Sequence, residues 1–273
     1  MVDLAGILND LEAESMVLDE MLTAMPAAGW TMATPAPEWS VAHQIGHLAW
    51  TDEVATDAAA AANGQPAAFT AIGAALRAGQ ISIDSAAAEW AAMPPAQLLQ
   101  RWREGRKQMA QALENVAPGV KLPWFGPSMS ALSMATARIM ETWAHGQDVA
   151  DALALIREPT DRLQHIAHVA VRTRNFAFTV HELTPPEHEF RVELDSPTGE
   201  LWTWGPIDAA QRVSGPALDF CLLAAKRRHR DDLALVAQGA DADKWLDIAQ
   251  AFAGPPGRGR EPAATAETQE EKA

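Results

Sequence analysis

Arg138-Ile139-Met140-Glu141-Thr142-Trp143-Ala144-His145-Gly146-Gln147-Asp148 is the stretch on which the reading of this chain turns. Its polar members Arg138, Glu141, His145 and Asp148 follow one another at helical steps, so an α-helix brings all four onto one face. Ile139, Trp143 and Val149 cover other directions of the same helix. A helix apolar on its remaining sides is predicted to be buried, with its polar stripe facing the interior. Glu141 and His145, one turn apart, can bind a single ion together. Two donors do not complete a site, so a third must come from another element.

Outward from this helix, which should run from Met129 to about Leu155 and close before Pro159, the chain reads as further helices. Leu4, Ile7, Leu8, Leu11, Leu18, Leu22 and Met25 recur at three- and four-residue steps, predicting a helix over 3–26. Pro35 and Pro37 interrupt it, Ser40 is a natural cap, and a second helix is predicted from Val41 to about Ala62, ending at Asn63-Gly64. A short helical piece is expected around Ala71–Ala78. Pro94-Pro95 opens another helix, marked by Leu98, Leu99, Trp102, Met109 and Leu113. Residues 117–128, rich in Pro and Gly around Trp124-Phe125, should form an irregular loop.

Past residue 160 the texture changes. One helix is predicted over Asp161–Phe178. Phe190, Val192 and Leu194 then alternate with charged residues, Ser196-Pro197-Thr198-Gly199 makes a turn, and Leu201-Trp202-Thr203-Trp204 is extended again, which predicts a β-hairpin. Helices over about Pro216–Arg227 and Asp241–Ala253 complete the unit. The expected fold is mainly α: a four-helix bundle over 1–160, a linker helix and small α+β domain over 161–253, and a disordered tail over 254–273.

Bulk properties narrow the function. No run approaches the roughly 18–20 apolar residues of a membrane span, and the N-terminus carries acids where a secretory signal carries bases; a cytoplasmic protein is expected. The formal charge of −15 argues against nucleic-acid and membrane-surface partners. The local run Lys226-Arg227-Arg228-His229-Arg230 reads as a solvated helix end or an anion site. Cys221 is the sole cysteine, which excludes a thiolate-rich metal site; within Phe220-Cys221-Leu222-Leu223 it reads as an inert core thiol.

The third donor is then His43 or His47. Ile45, Leu48 and Trp50 around His47 suggest burial, whereas His43 falls in the first turn. Two imidazoles and one carboxylate suit zinc, and also iron, nickel or manganese. Asp148 is a candidate acceptor for the second ring nitrogen of His145, and Arg138 a candidate for orienting an anionic group of the substrate; either could instead form a structural ion pair. Met129, Met134, Met140, Trp50, Trp124 and Trp143 are core residues or, where some line a cavity, the walls of a site for a bulky apolar small molecule.

Trp39-Ser40-Val41-Ala42-His43-Gln44-Ile45-Gly46-His47-Leu48, Trp124-Phe125-Gly126-Pro127-Ser128-Met129-Ser130 and Met140 to Leu153 together resemble the DinB-like superfamily, in its branch of mycothiol-dependent maleylpyruvate isomerases and their actinobacterial metal-binding relatives. The resemblance covers most of the chain and implies a bundle with a metal held by His47, Glu141 and His145, favouring His47 over His43. It implies an enzyme, a zinc-dependent isomerase or thiol transferase using mycothiol on an activated carbonyl or enoyl substrate. A thiol-independent lyase, hydrolase or isomerase, and a non-catalytic metal- or ligand-binding protein, are the alternatives. Substrate and oligomeric state are not legible in the sequence.

Overall fold

The computed structural model describes residues 3–255, 257 and 259–263. The chain divides between Arg157 and Glu158 into two compact units. From residue 264 onward the tail expected to be disordered lies outside the described residues.

The first unit holds α1 (Leu4–Ala24), α2 (Val41–Ala62), α3 (Ala67–Arg77), α4 (Ile83–Ala91), α5 (Pro95–Glu114) and α6 (Ala131–Ala152). α1, α2, α5 and α6 make the four-helix bundle: α6 lies against both α1 and α2, and α5 packs mainly on α2. The starts follow local chemistry. The Asp3 carboxylate accepts from Gly6 N at 2.9 Å, the Ser130 hydroxyl accepts from Ser133 N at 3.1 Å, and Pro95 occupies a first-turn position where its missing N–H costs nothing.

The apolar stripes meet in two clusters. Leu18, Leu22, Ile45, Leu48, Val54, Leu98, Trp102 and Val149 belong to one; Ile7, Leu8, Leu11, Met109, Leu113, Met134 and Ile139 belong to the other. Full burial of each large aliphatic side chain contributes roughly 1.5–3 kcal/mol. Gly46 lets α4 come close to α2, because a Cβ there would stand 2.8 Å from the Ala87 carbonyl oxygen. That approach fixes the backbone beside His47.

Several features depart from the sequence expectation. The helical piece of 71–78 begins earlier, at Ala67, and α4 is a helix the sequence reading does not contain: it is only nine residues long, and its start is secured by Ser82, whose hydroxyl accepts from Ser85 N at 3.0 Å. In the second unit, the single helix expected over 161–178 is two, α7 (Leu163–Arg172) and α8 (Arg174–Val180). Thr173 separates them and donates its hydroxyl to the Gln250 carbonyl at 2.7 Å.

The predicted hairpin is β1 (Arg191–Asp195) with β2 (Leu201–Trp204), antiparallel, Leu194 opposite Trp202. It belongs to a four-stranded sheet of order β2-β1-β3-β4, in which β3 (Arg212–Pro216) runs parallel to β1 and β4 (Val236–Gln238) antiparallel to β3. α9 (Ala217–Ala224) and α10 (Ala240–Ile248) complete the unit. Its core gathers Val192, Leu194, Val213 and Trp245, the last edge-on to Phe190 and Phe220.

Candidate metal centre

α2 and α6 carry the cluster. His47 Nε2 stands 3.5 Å from Glu141 Oε2, and His145 Nε2 stands 3.2 Å from the same oxygen. The two imidazole centroids are 4.5 Å apart. Among the described residues this is the one group of three or more His, Cys, Asp or Glu able to converge on an ion, with donor atoms within 4.8 Å of one another. The histidine side chains are 9% and 12% exposed and that of Glu141 is 25% exposed, so the carboxylate marks the side from which a small molecule can approach.

Burial pushes the Glu141 carboxyl up, but the imidazoles of His145 and His47 pull it down by more, to well below the ordinary value near 4.5. Glu141 is therefore ionised at neutral pH. The imidazoles can meet this oxygen through an N–H, and once such protons leave, two neutral nitrogens and one anionic oxygen form a donor set that fits a divalent ion.

Around the cluster stands a set of residues to which the sequence reading gave no role. Gln44, one turn before His47 on α2, places Oε1 2.5 Å from His145 Nδ1. Its Nε2 donates to Thr34 Oγ1 at 2.9 Å, and Thr34 Oγ1 donates to the Trp39 carbonyl at 2.8 Å. The acceptor at His145 Nδ1 is thus Gln44, a role the sequence had offered to Asp148, which is buried on α6. Trp39 lays its ring beside both imidazoles, stacked on His145 at 5.9 Å and tilted to His47 at 5.4 Å, and its Nε1 donates to Asp84 Oδ1 at 3.0 Å. The spacing of Gln44 and His47, which puts them on one helix face, is the signal that could have found the first of these.

His43 is outside the cluster. Its Nδ1 lies 2.8 Å from Ser40 Oγ and accepts from Ser40 N at 3.3 Å, closing the cap of α2. Of the two histidines of α2, His47 is the one that joins the candidate cluster. Arg138 shares the face of Glu141 but points its guanidinium inward, where Nε donates to Asp52 Oδ1 at 2.9 Å. Both side chains are buried, at 3% and 5% exposure, so of the two roles the sequence allows Arg138, a substrate-orienting charge or a structural ion pair, the geometry shows the ion pair. Met134, Met140, Trp50 and Trp143 are core, and half-buried Trp124 packs on Phe69 and Phe125. Cys221 is fully buried in the second unit, and burial pushes its thiol up.

A four-helix bundle with a two-histidine, one-carboxylate cluster between two of its helices is the class that this fold and site define. Comparison with known proteins makes the class specific. Residues 11–150, just over half of the chain, match the family described as Mycothiol maleylpyruvate isomerase N-terminal domain, and the chain belongs to that family. Residues 186–238, which hold the sheet of the second unit, match one described as Wyosine base formation.

Two uncharacterized proteins from separate strains of Mycobacterium tuberculosis are each 55% identical over 260 residues, covering 95% of this chain and 100% of theirs. The fold is similar to the crystal structure of the mycothiol-dependent maleylpyruvate isomerase, with a TM-score of 0.58 at 15% identity over 86% of this chain and 93% of that one. A histidine-to-alanine mutant of that isomerase matches with a TM-score of 0.57 over the same shares at 15% identity.

Proposed function

We propose that this protein is a metal-dependent isomerase or thiol transferase, with zinc held by His47, Glu141 and His145 and mycothiol as its thiol, acting on an activated carbonyl or enoyl compound. The observation that carries the metal is the convergence of His47 Nε2 and His145 Nε2 on one oxygen of an ionised Glu141. Three protein donors are the usual complement of a catalytic zinc, whereas structural zinc takes four. The thiol rests on membership of the family and on the likeness to the mycothiol-dependent isomerase.

A divalent ion bound here would supply Lewis acidity, lowering the pKa of a thiol or water beside it or polarising a carbonyl. The chain's own residues do the rest. His47 and His145 enter the site from buried positions, which keeps water from their flanks, while the exposed edge of Glu141 leaves one approach. The ring of Trp39 offers a flat apolar wall, and Arg138 is engaged by Asp52. This favours a substrate with an apolar flank over a small dicarboxylate such as maleylpyruvate.

Metal analysis of the purified protein tests the assignment. One equivalent is expected in the wild type and a loss of most of it in His145→Ala; a full equivalent kept by the variant would sink the ligand set. Turnover of enoyl and carbonyl compounds with and without mycothiol then tests the thiol, and turnover that ignores mycothiol would move the reading to a lyase or hydrolase whose acid or base is metal-bound water.

A further inference from the structure

The relay behind His145 fixes more than its orientation. Thr34 has one hydroxyl proton, and the Trp39 carbonyl at 2.8 Å has only an acceptor to offer, so Thr34 donates there. Toward Gln44 the hydroxyl can then only accept, which requires the amide nitrogen of Gln44 to face it, as found at 2.9 Å. The amide oxygen is thereby turned to His145 Nδ1 at 2.5 Å. An acceptor there takes the proton of Nδ1, while Nε2 lies 3.2 Å from Glu141 Oε2, within hydrogen-bond distance of the carboxylate; an ion at Nε2 would displace any proton there and leave the ring in the Nδ1-protonated form that Gln44 accepts from.

We infer that Gln44, oriented by Thr34, is a positioning residue that accepts from His145 Nδ1 and so turns Nε2 toward the place an ion would take, beside Glu141. The inference rests on the metal reading above. His47 supplies the contrast: its Nδ1 is buried and meets no partner, so packing beside Trp39, and not a hydrogen bond at its rear nitrogen, holds that ring. The amide is also a neutral acceptor where a carboxylate would serve equally for direction. It aims the ring without adding a second negative charge behind the ion, which leaves the ion a stronger Lewis acid.

Thr34 also ties the relay to the backbone of the segment that carries Trp39. Its N–H donates to the same Trp39 carbonyl at 2.8 Å, so the loop that supplies the aromatic wall also orders the amide. Loss of the Thr34 hydroxyl frees Gln44 to turn its amide over. Its nitrogen would then face Nδ1, which favours the opposite tautomer and puts a proton where the ion should bind.

The test uses the full chain, metal-free and labelled with ¹⁵N-histidine, in long-range proton–nitrogen correlation at about pH 8, together with cobalt(II) affinity by chelator competition. In the wild type and in Thr34→Ser, His145 should carry a proton on Nδ1. In Thr34→Val, a near-isosteric change, a mixture of tautomers and cobalt binding weaker by roughly 10–100-fold are expected, with a similar loss in Gln44→Leu. Wild-type His145 without a proton on Nδ1, or cobalt binding within twofold of wild type in both Thr34→Val and Gln44→Leu, would overturn the inference. A wild type that takes up no cobalt defeats the metal reading instead, and the nitrogen shifts still judge the relay without it.

Discussion

Arg138 shows how much of a side chain's role is settled by a partner far away in sequence. Helical spacing places it on the face of Glu141, and from that position its charge looks available to a substrate. Asp52 of α2 takes it instead, and burial pushes the Asp52 carboxyl up even beside the guanidinium, a sign that the pair is held out of water. Removing one partner of such a pair costs roughly 3–5 kcal/mol, because the other charge is left buried and alone. Arg138→Met is therefore expected to lower the unfolding free energy by about that amount in urea titration, and Asp52→Leu combined with Arg138→Met to regain much of it. A stable Arg138→Met protein with a raised KM would return the residue to substrate binding. Glu141 and His145 were legible because both lie on one helix. Gln44 shares a helix face with His47, but its link to Thr34 was not legible, since a contact from a loop to α2 leaves no periodic trace.

Elements were legible where length and clear stops marked them. α1, α2, α5 and α6 have apolar stripes and clear stops, and α2 and α5 start where Ser40 and the Pro94-Pro95 pair place them. β3 and β4 have neither: five and three residues, with Gly215 and Pro216 inside the first, are strands because β1 lies alongside. A contact between elements can be tested through one residue. Asp19 on α1 accepts from Arg103 Nη2 at 2.6 Å and from Arg106 Nη2 at 3.0 Å, one turn apart on α5. Burial pushes the Asp19 carboxyl up, and the two guanidinium groups pull it down further, to a net value below the ordinary 3.8. A carboxylate held down in the fold stabilises it fully above its unfolded pKa and loses that effect as pH falls through the folded value. Asp19→Asn should thus cost about 1–2 kcal/mol at pH 7, allowing for partial exposure. The gap in Tm between variant and wild type should narrow as pH is lowered below about 3.8. A gap that stayed constant to pH 2.5 would assign the loss to packing.

At the scale of the whole molecule, the candidate centre joins parts of the chain that are distant in sequence. Gln44 and His145 are 101 residues apart, and an ion shared by His47, Glu141 and His145 would cross-link α2 to α6 in the folded state alone. Two consequences follow from elementary thermodynamics. The unfolded chain cannot offer the three donors together, so binding free energy becomes folding free energy. At a free ion concentration a hundredfold above Kd the gain is about 2.7 kcal/mol, and for a protein of this size that raises Tm by roughly 5–10 °C. The formal charge of −15 works in the same direction, since a divalent cation relieves part of the self-repulsion of an acidic chain. That second contribution is nonspecific, and the two must be told apart. Calorimetry of the wild type with zinc and with EDTA should show the full shift, whereas His145→Ala, which keeps the charge, should show only what nonspecific cation binding supplies, and magnesium should reproduce that remainder in both proteins. Equal zinc shifts in wild type and His145→Ala would place the ion on the acidic surface and not between α2 and α6.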